Sequence, residues 1–356
     1  MKNNENMSTA ETKIKYRALV TAEINRELLE RHLQDKIDFT YAGYNLDHNV
    51  LPHDELARQI GDYDILISEY DTVSAEVFEA AKRLRIIVCC RGGVKTVVDL
   101  DAAMRQGVVV CNNAGRNSGA VTDMTMGYIL DLTRNITRTN NLIHSRKLVA
   151  EVSTKPSEYQ DTVWGLDNDS PFIRYRGRSI NHMSLGLIGF GHAGRLLAKK
   201  AHAFDMKILA YDPYSDFHEK PEYVANVTWD EVVSQSDIIS LHCVLTPQTR
   251  NMFCAKVFSQ MKDGAYFINT SRGELVVEED LVAALQSGKL AGAAIDVTRQ
   301  EPIPANSILV GAPNLLVTPH IAGSSDDVQH CGTIMVIDSL TDFLAGRKPS
   351  NCVVYR

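Results

Sequence analysis

The 356-residue chain has no run of eighteen consecutive apolar residues, so no transmembrane helix is expected. The opening stretch from Met1 to Ala10 lacks the apolar segment of a secretory signal, and residues 1–13 are expected to form a disordered tail. Paired cysteine chemistry is missing as well. The seven cysteines, Cys89, Cys90, Cys111, Cys243, Cys254, Cys331 and Cys352, are odd in number and scattered, with no CxxC spacing. They read as free thiols in a reducing compartment, so a cytoplasmic protein without a metal site is expected. Nor is there an excess of positive charge: the net charge of −7 argues against a nucleic-acid partner. It leaves room for a small anionic substrate in a local cationic pocket.

What is present begins with length, since 356 residues exceed one typical core and imply two domains. The most informative stretch is Ser184-Leu185-Gly186-Leu187-Ile188-Gly189-Phe190-Gly191-His192-Ala193-Gly194. A helical pattern follows to Ala201, and a second apolar run, Lys207 to Tyr211, ends on Asp212. Strand, Gly-x-Gly-x-x-Gly, helix and strand-end acid make a complete βαβ unit for binding a dinucleotide. In that reading Gly189 permits the tight turn and Gly191 lets the backbone approach a pyrophosphate. Gly194 permits close helix–strand packing, and the helix N-terminus faces the phosphates. Asp212 would accept from the ribose hydroxyls of NAD and repel the 2′-phosphate of NADP.

Before this unit, short apolar runs alternate with amphipathic stretches. Strands are expected at Arg17–Val20, Phe39–Tyr41, Ile65–Ile67, Ile86–Cys90 and Val108–Cys111, with helices between them. This pattern is that of a parallel sheet covered on both faces. The loop Arg91-Gly92-Gly93-Val94-Lys95 follows a strand end, where open α/β sheets bind ligands. Its glycine amides and cations could hold an anion, or form a strand-ending turn with solvated charges. One long helix is expected from Ser118 to Lys147, with Val121, Met124, Tyr128, Ile129, Leu132, Ile136 and Ile143 on an apolar stripe. Residues Glu151–Asn181 read as a surface connection. The helix Asp326–Leu344 and the tail from Asn351 come too late for the second sheet and are expected to fold back on the first domain.

Three strand ends after the glycine loop deliver Arg272, Asp296 and His320, with Glu301 in the loop after Asp296. A guanidinium suits a substrate carboxylate, an imidazole suits proton transfer near neutral pH, and a carboxylate beside it favours the protonated imidazole. Asp296 could accept from a nicotinamide carboxamide or set the charge around the ring. Each alone has a structural alternative: a turn-capping arginine, a loop carboxylate, a strand-end histidine. Their arrival together at strand ends after a dinucleotide unit points to hydride transfer between NAD and a 2-hydroxy acid.

Asn269-Thr270-Ser271-Arg272-Gly273-Glu274, Asp296-Val297 with Gln300-Glu301-Pro302, Thr318-Pro319-His320-Ile321-Ala322-Gly323, Leu241 to Thr246 and Tyr211-Asp212-Pro213 resemble the D-isomer-specific 2-hydroxyacid dehydrogenase family. The resemblance runs from about Ile14 to Tyr355. It implies two doubly wound α/β domains: a flavodoxin-like substrate domain of residues 14–117 and 324–356, and a Rossmann NAD-binding domain of residues 118–323. It also implies Arg272, Glu301 and His320 as the catalytic set, and a homodimer. The cofactor residues so implied are Gly189, Gly191, His192, Ala193, Gly194, Asp212, Val244, Leu245, Thr246, Thr249, Thr270, Ser271, Arg272, Asp296, His320 and Gly323. Substrate binding falls to Arg91, Gly92, Gly93, Val94, Arg272 and His320. Many members carry Gly-x-Gly-x-Asp-Asn where this chain has Arg91-Gly92-Gly93-Val94-Lys95, a more cationic loop that leaves room for a substrate with a second anionic group, such as phosphoglycerate or a sugar acid. The alternatives are a D-3-phosphoglycerate dehydrogenase without a regulatory domain and an NAD(H)-sensing scaffold related to redox-responsive corepressors.

Overall fold

The computed structural model describes residues 15–149, 168, 170–218 and 220–355. The expected tail at 1–13 lies outside the described residues, as does most of the connection expected at 151–181. The chain divides into two units, Met1–Asn117 with Ser325–Arg356, and Ser118–Ser324.

The first unit contains β1 (Tyr16–Val20), β2 (Ile37–Tyr41), β3 (Ile65–Ser68), β4 (Ile86–Cys89) and β5 (Val109–Asn112). Its strands lie in the order β2-β1-β3-β4-β5, all parallel. Runs such as Ile65-Leu66-Ile67 and Ile86-Ile87-Val88 are buried on both faces, which is why they read as continuous rather than alternating apolar sequence. Leu19, Leu66 and Ile87 face one core, and Ala18, Val20, Ile86 and Val88 face the other. The helix Asp326–Leu344 returns to this unit and buries Val336 and Leu340 in the second of those cores. The terminal strand (Cys352–Val354, here β13) then pairs antiparallel with β5. The late segments therefore fold back as expected, and they add the one antiparallel edge to an otherwise parallel sheet.

The second unit holds β6 (Ser184–Ile188), β7 (Lys207–Tyr211), β8 (Val224–Asn226), β9 (Ile238–Leu241), β10 (Ala265–Asn269), β11 (Leu290–Ile295) and β12 (Leu315–Val317). The order is β12-β11-β10-β9-β6-β7-β8, and every pairing is parallel. The winding direction reverses at β6, so the switch point lies between β6 and β9.

Two features depart from the sequence reading. The helix expected over Ser118–Lys147 is two helices, Ser118–Arg134 and Ile136–His144. Asn135 between them adopts φ 56°, a left-handed conformation that asparagine tolerates but a helix cannot continue through. The break is stabilised locally: Asp131 accepts from Thr137 N at 2.7 Å and from Thr137 Oγ1 at 2.5 Å. The apolar stripe divides with it. Tyr128 and Ile129 are buried, whereas Ile136 and Ile143 are exposed. The second departure is β8 with the helix Trp229–Gln235, absent from the sequence reading. A three-residue edge strand has almost no periodicity to detect, but Thr228-Trp229-Asp230-Glu231 is a capping box that marks the helix start.

Candidate active site

At the switch point, Ile188 gives way to the glycine turn. Gly189 has φ 101°, and a Cβ there would lie 2.6 Å from the carbonyl carbon of His242, so the turn closes against the end of β9 only without a side chain. A Cβ on Gly194 would meet the Gly189 carbonyl oxygen at 2.3 Å, which sets how closely the helix His192–His202 packs on the turn. Gly191 caps that helix, and no atom lies within 4 Å of where its Cβ would stand. The result is an open surface beside free helix N–H groups, which fits a phosphate. Asp212, at the end of β7, accepts from Phe190 N at 2.8 Å and from Tyr214 N at 2.9 Å. Two donors leave the carboxylate with acceptor capacity for ribose hydroxyls.

The loop after β9 folds on itself: Thr249 Oγ1 accepts from Thr246 N at 2.7 Å and donates to the Val244 carbonyl at 2.8 Å. Val244 is 74% exposed. Burial pushes the imidazole of His242 down to about 4, so it is neutral at pH 7, and its Nε2 lies 2.9 Å from Ser240 Oγ. After β10, Ser271 is occupied structurally, donating to the Leu241 carbonyl at 2.7 Å. Thr270 Oγ1 is a buried hydroxyl with no hydrogen-bond partner among the described residues, and such a group fits a ligand at this edge.

The proposed chemistry converges at three turns. Arg272 is exposed, and its guanidinium donates to the Ser271 carbonyl at 2.6 Å. The next residue, Gly273, sits so close to the backbone of Thr298 and Arg299 that a Cβ would lie 2.1 Å from the Thr298 carbonyl carbon. Thr298 N in turn donates to Glu301 Oε1 at 3.1 Å. The other oxygen, Glu301 Oε2, lies 2.7 Å from His320 Nδ1. An ionised carboxylate only accepts, so Nδ1 carries a proton and Nε2 is the nitrogen free to exchange one. Asp296 is 1% exposed. Its carboxylate takes Thr318 Oγ1 at 2.5 Å, Ile321 N at 2.9 Å and Ala322 N at 2.7 Å. Three donors leave about one acceptor position for a cofactor amide, so clamping the His320 turn is the role its geometry displays most directly.

Sequence reading missed Gly273, Thr298, Arg299 and Thr318 as parts of this arrangement. Gly273 lies within a quoted motif, but its need for space depends on a loop 25 residues away and carries no local signal.

The substrate residues expected in the first unit stand at the carboxyl edge of its sheet, after β4. The Arg91 guanidinium lies over the Tyr70 ring at 5.4 Å, and Gly92 accepts from Asn112 Nδ2 at 2.8 Å. Val94 is only 3% exposed and its side chain packs in the core, so only its backbone could meet a ligand. Among the described residues no His, Cys, Asp or Glu cluster could hold a metal, no helix is long and apolar enough to cross a membrane, and all seven cysteines are free.

A glycine turn at the switch point, an acid at the end of the next strand and a histidine–carboxylate pair at the same edge define a dinucleotide-dependent oxidoreductase. The profile of the D-isomer specific 2-hydroxyacid dehydrogenase NAD-binding domain matches residues 126–322. A hydroxypyruvate reductase from Blautia hydrogenotrophica is 33% identical over 300 residues, covering 84% of this chain and 88% of its own. A D-3-phosphoglycerate dehydrogenase from Methanocaldococcus jannaschii is 31% identical over 85% of this chain but only 54% of its own. The crystal structure of the TT0316 protein from Thermus thermophilus matches with a TM-score of 0.74 at 30% identity, covering 95% of this chain and all of that one. The chain belongs to the D-isomer-specific 2-hydroxyacid dehydrogenase family. It is an oxidoreductase of 2-hydroxy acids with NAD as its cofactor.

Proposed function

We propose that the protein reduces a small 2-oxo acid to the D-2-hydroxy acid, and catalyses the reverse oxidation, with Arg272, Glu301 and His320 as its catalytic residues. The observation that carries this reading is the 2.7 Å contact between His320 Nδ1 and Glu301 Oε2 on the edge that holds the glycine turn. NAD(H), held by the Gly189–Gly194 turn and Asp212, supplies the hydride when bound. Arg272 binds the substrate carboxylate through its fork of donors. His320 holds the exchangeable proton at Nε2 and passes it to the carbonyl oxygen in reduction, while Glu301 keeps the ring oriented and offsets its positive charge. Val244, Leu245, Thr246, Thr249 and Gly323 line the cofactor in this reading, and Arg91, Gly92, Gly93 and the Val94 backbone contribute to substrate binding.

A panel of 2-oxo acids, with and without a second anionic group, assayed by absorbance with NADH and NADPH, tests the reading. Turnover with NADH on glyoxylate or hydroxypyruvate is expected, with little on phosphorylated substrates or with NADPH. Loss of turnover across the whole panel would remove the enzyme assignment and favour the NAD(H)-sensing scaffold. Turnover confined to the phosphorylated acid would favour the phosphoglycerate reading.

The same reading includes a cytoplasmic homodimer. Free cysteines throughout support a reducing compartment, and the exposed Ile136 and Ile143 on one short helix support a subunit contact. Light scattering is expected to give twice the 39.5 kDa chain mass, with Ile143→Asp shifting the protein toward monomer. A monomeric wild-type protein rules out the homodimer.

A further inference from the structure

We infer that Tyr128 is a positioning residue for the acid–base histidine, acting through the Thr318 hydroxyl on the turn that presents His320. The inference rests on the catalytic reading above and concerns residues that the reading does not use.

His320 has φ 56°, a left-handed conformation unusual for a residue with a side chain. Such backbone is unfavourable and persists only where its surroundings over-determine it. Asp296 supplies most of those surroundings, beside a second bond from the His320 amide to the Thr318 carbonyl at 3.1 Å and the ring contact to Glu301. The His320 amide donates to the Asp296 carbonyl at 2.8 Å, and the Asp296 carboxylate accepts from Ile321 N, Ala322 N and Thr318 Oγ1. Of the three donors to that carboxylate, the Thr318 hydroxyl alone can rotate. Something else must fix its direction.

Tyr128 does so. Its phenol is hydrogen-bonded to Thr318 Oγ1. A hydroxyl carries one proton, and Thr318 gives its own to a carboxylate that can only accept, so Tyr128 is the donor in that pair. Burial pushes the phenol up to about 12, which keeps that proton in place across the working pH range. The order is therefore Tyr128 O–H to Thr318 Oγ, then Thr318 O–H to Asp296 Oδ1. Each bond polarises the next, so the chain strengthens the carboxylate's hold on the turn. Tyr128 is 3% exposed and sits on the helix Ser118–Arg134, which packs on β11, the strand that leads into Asp296, and on the helix His192–His202 after the glycine turn. The His320 turn is thereby tied to a rigid element outside the sheet edge.

The simpler account makes Tyr128 a core residue whose hydroxyl takes the nearest acceptor. Tyr128→Phe keeps the ring and removes the donor, and Thr318→Val breaks the same chain one link on. Readouts are kcat, KM, NADH affinity by fluorescence titration, and the imidazole 15N resonances of His320, assigned with His320→Gln. For Tyr128→Phe we expect kcat about tenfold lower, KM and NADH affinity within about twofold of wild type, and displaced His320 ring resonances. Thr318→Val is expected to match it, the double variant to be no worse than the worse single, and Thr318→Ser to restore turnover by keeping the hydroxyl. Unchanged turnover in Tyr128→Phe overturns the inference. So does a loss of turnover with unmoved His320 resonances, because that is what loosened packing alone would produce. His320→Gln separates the two readings: if it retains wild-type turnover the acid–base assignment fails. Resonances that stay put in Tyr128→Phe while His320→Gln is inactive reject the positioning role alone.

Discussion

His320→Ala is expected to lower kcat for 2-oxo acid reduction by roughly 10²–10⁴ while NADH still binds. Only one ring nitrogen is available to exchange a proton. Glu301 Oε2 occupies Nδ1 at 2.7 Å, which leaves Nε2, and alanine offers no replacement at that point. Both side chains are partly exposed, His320 at 49% and Glu301 at 39%, so the pair is open to a ligand rather than sealed in the core. Deleting the imidazole removes little packing, and folding should survive. Steady-state rates beside a fluorescence titration with NADH make the check, and near-normal turnover in the variant would sink the acid–base assignment. Glu301→Gln keeps a hydrogen-bond partner but no charge, and its loss should be smaller than that of His320→Ala.

Gly273→Ala is expected to reduce kcat/KM by about 10² and to lower the melting temperature, although it adds only a methyl group. The position has no unusual backbone conformation, so the requirement is purely one of space. A Cβ would stand 2.1 Å from the Thr298 carbonyl carbon, 2.3 Å from its oxygen and 2.5 Å from Arg299 N. All three are backbone atoms, and that backbone is pinned. Arg299 Nε donates to the Val276 carbonyl at 2.8 Å, and Arg299 N donates to Glu278 Oε1 at 2.7 Å. The substitution must therefore push the Arg272 turn away from the segment that leads into Glu301. Calorimetry and initial rates on the same preparation test this. A variant with wild-type kcat/KM would mean that the close approach is incidental to the site.

Much of the molecule can be read from its sequence because burial on both faces leaves long apolar signatures. Ile65-Leu66-Ile67 and Ile86-Ile87-Val88 could hardly be other than parallel-sheet strands. The glycine turn is legible because three glycines fall within six residues, two of them where a Cβ would clash with backbone and the third on an open surface. What escaped was non-local or too short. Asn135 reads as one more polar helix residue, since nothing nearby announces a left-handed turn. Tyr128 reads as part of an apolar stripe and is buried, but its hydroxyl finds a partner 190 residues away. The chemistry of Glu301 and His320 was legible as residue types at strand ends, whereas the turn geometry that aims them depends on Asp296, Gly273 and Thr318, whose contacts exist only in the folded chain.

The first sheet is completed by β13, a strand that follows the second unit in sequence and is laid antiparallel on β5. A ribosome delivers β5 before, and β13 after, the whole of Ser118–Ser324. The second unit is thus contiguous and can close as soon as it emerges, while Val109–Asn112 waits with an unpaired hydrogen-bonding edge. Order of synthesis and order of completion are reversed, and until β13 pairs the nascent chain carries an unpaired apolar edge at β5 that is open to misassembly.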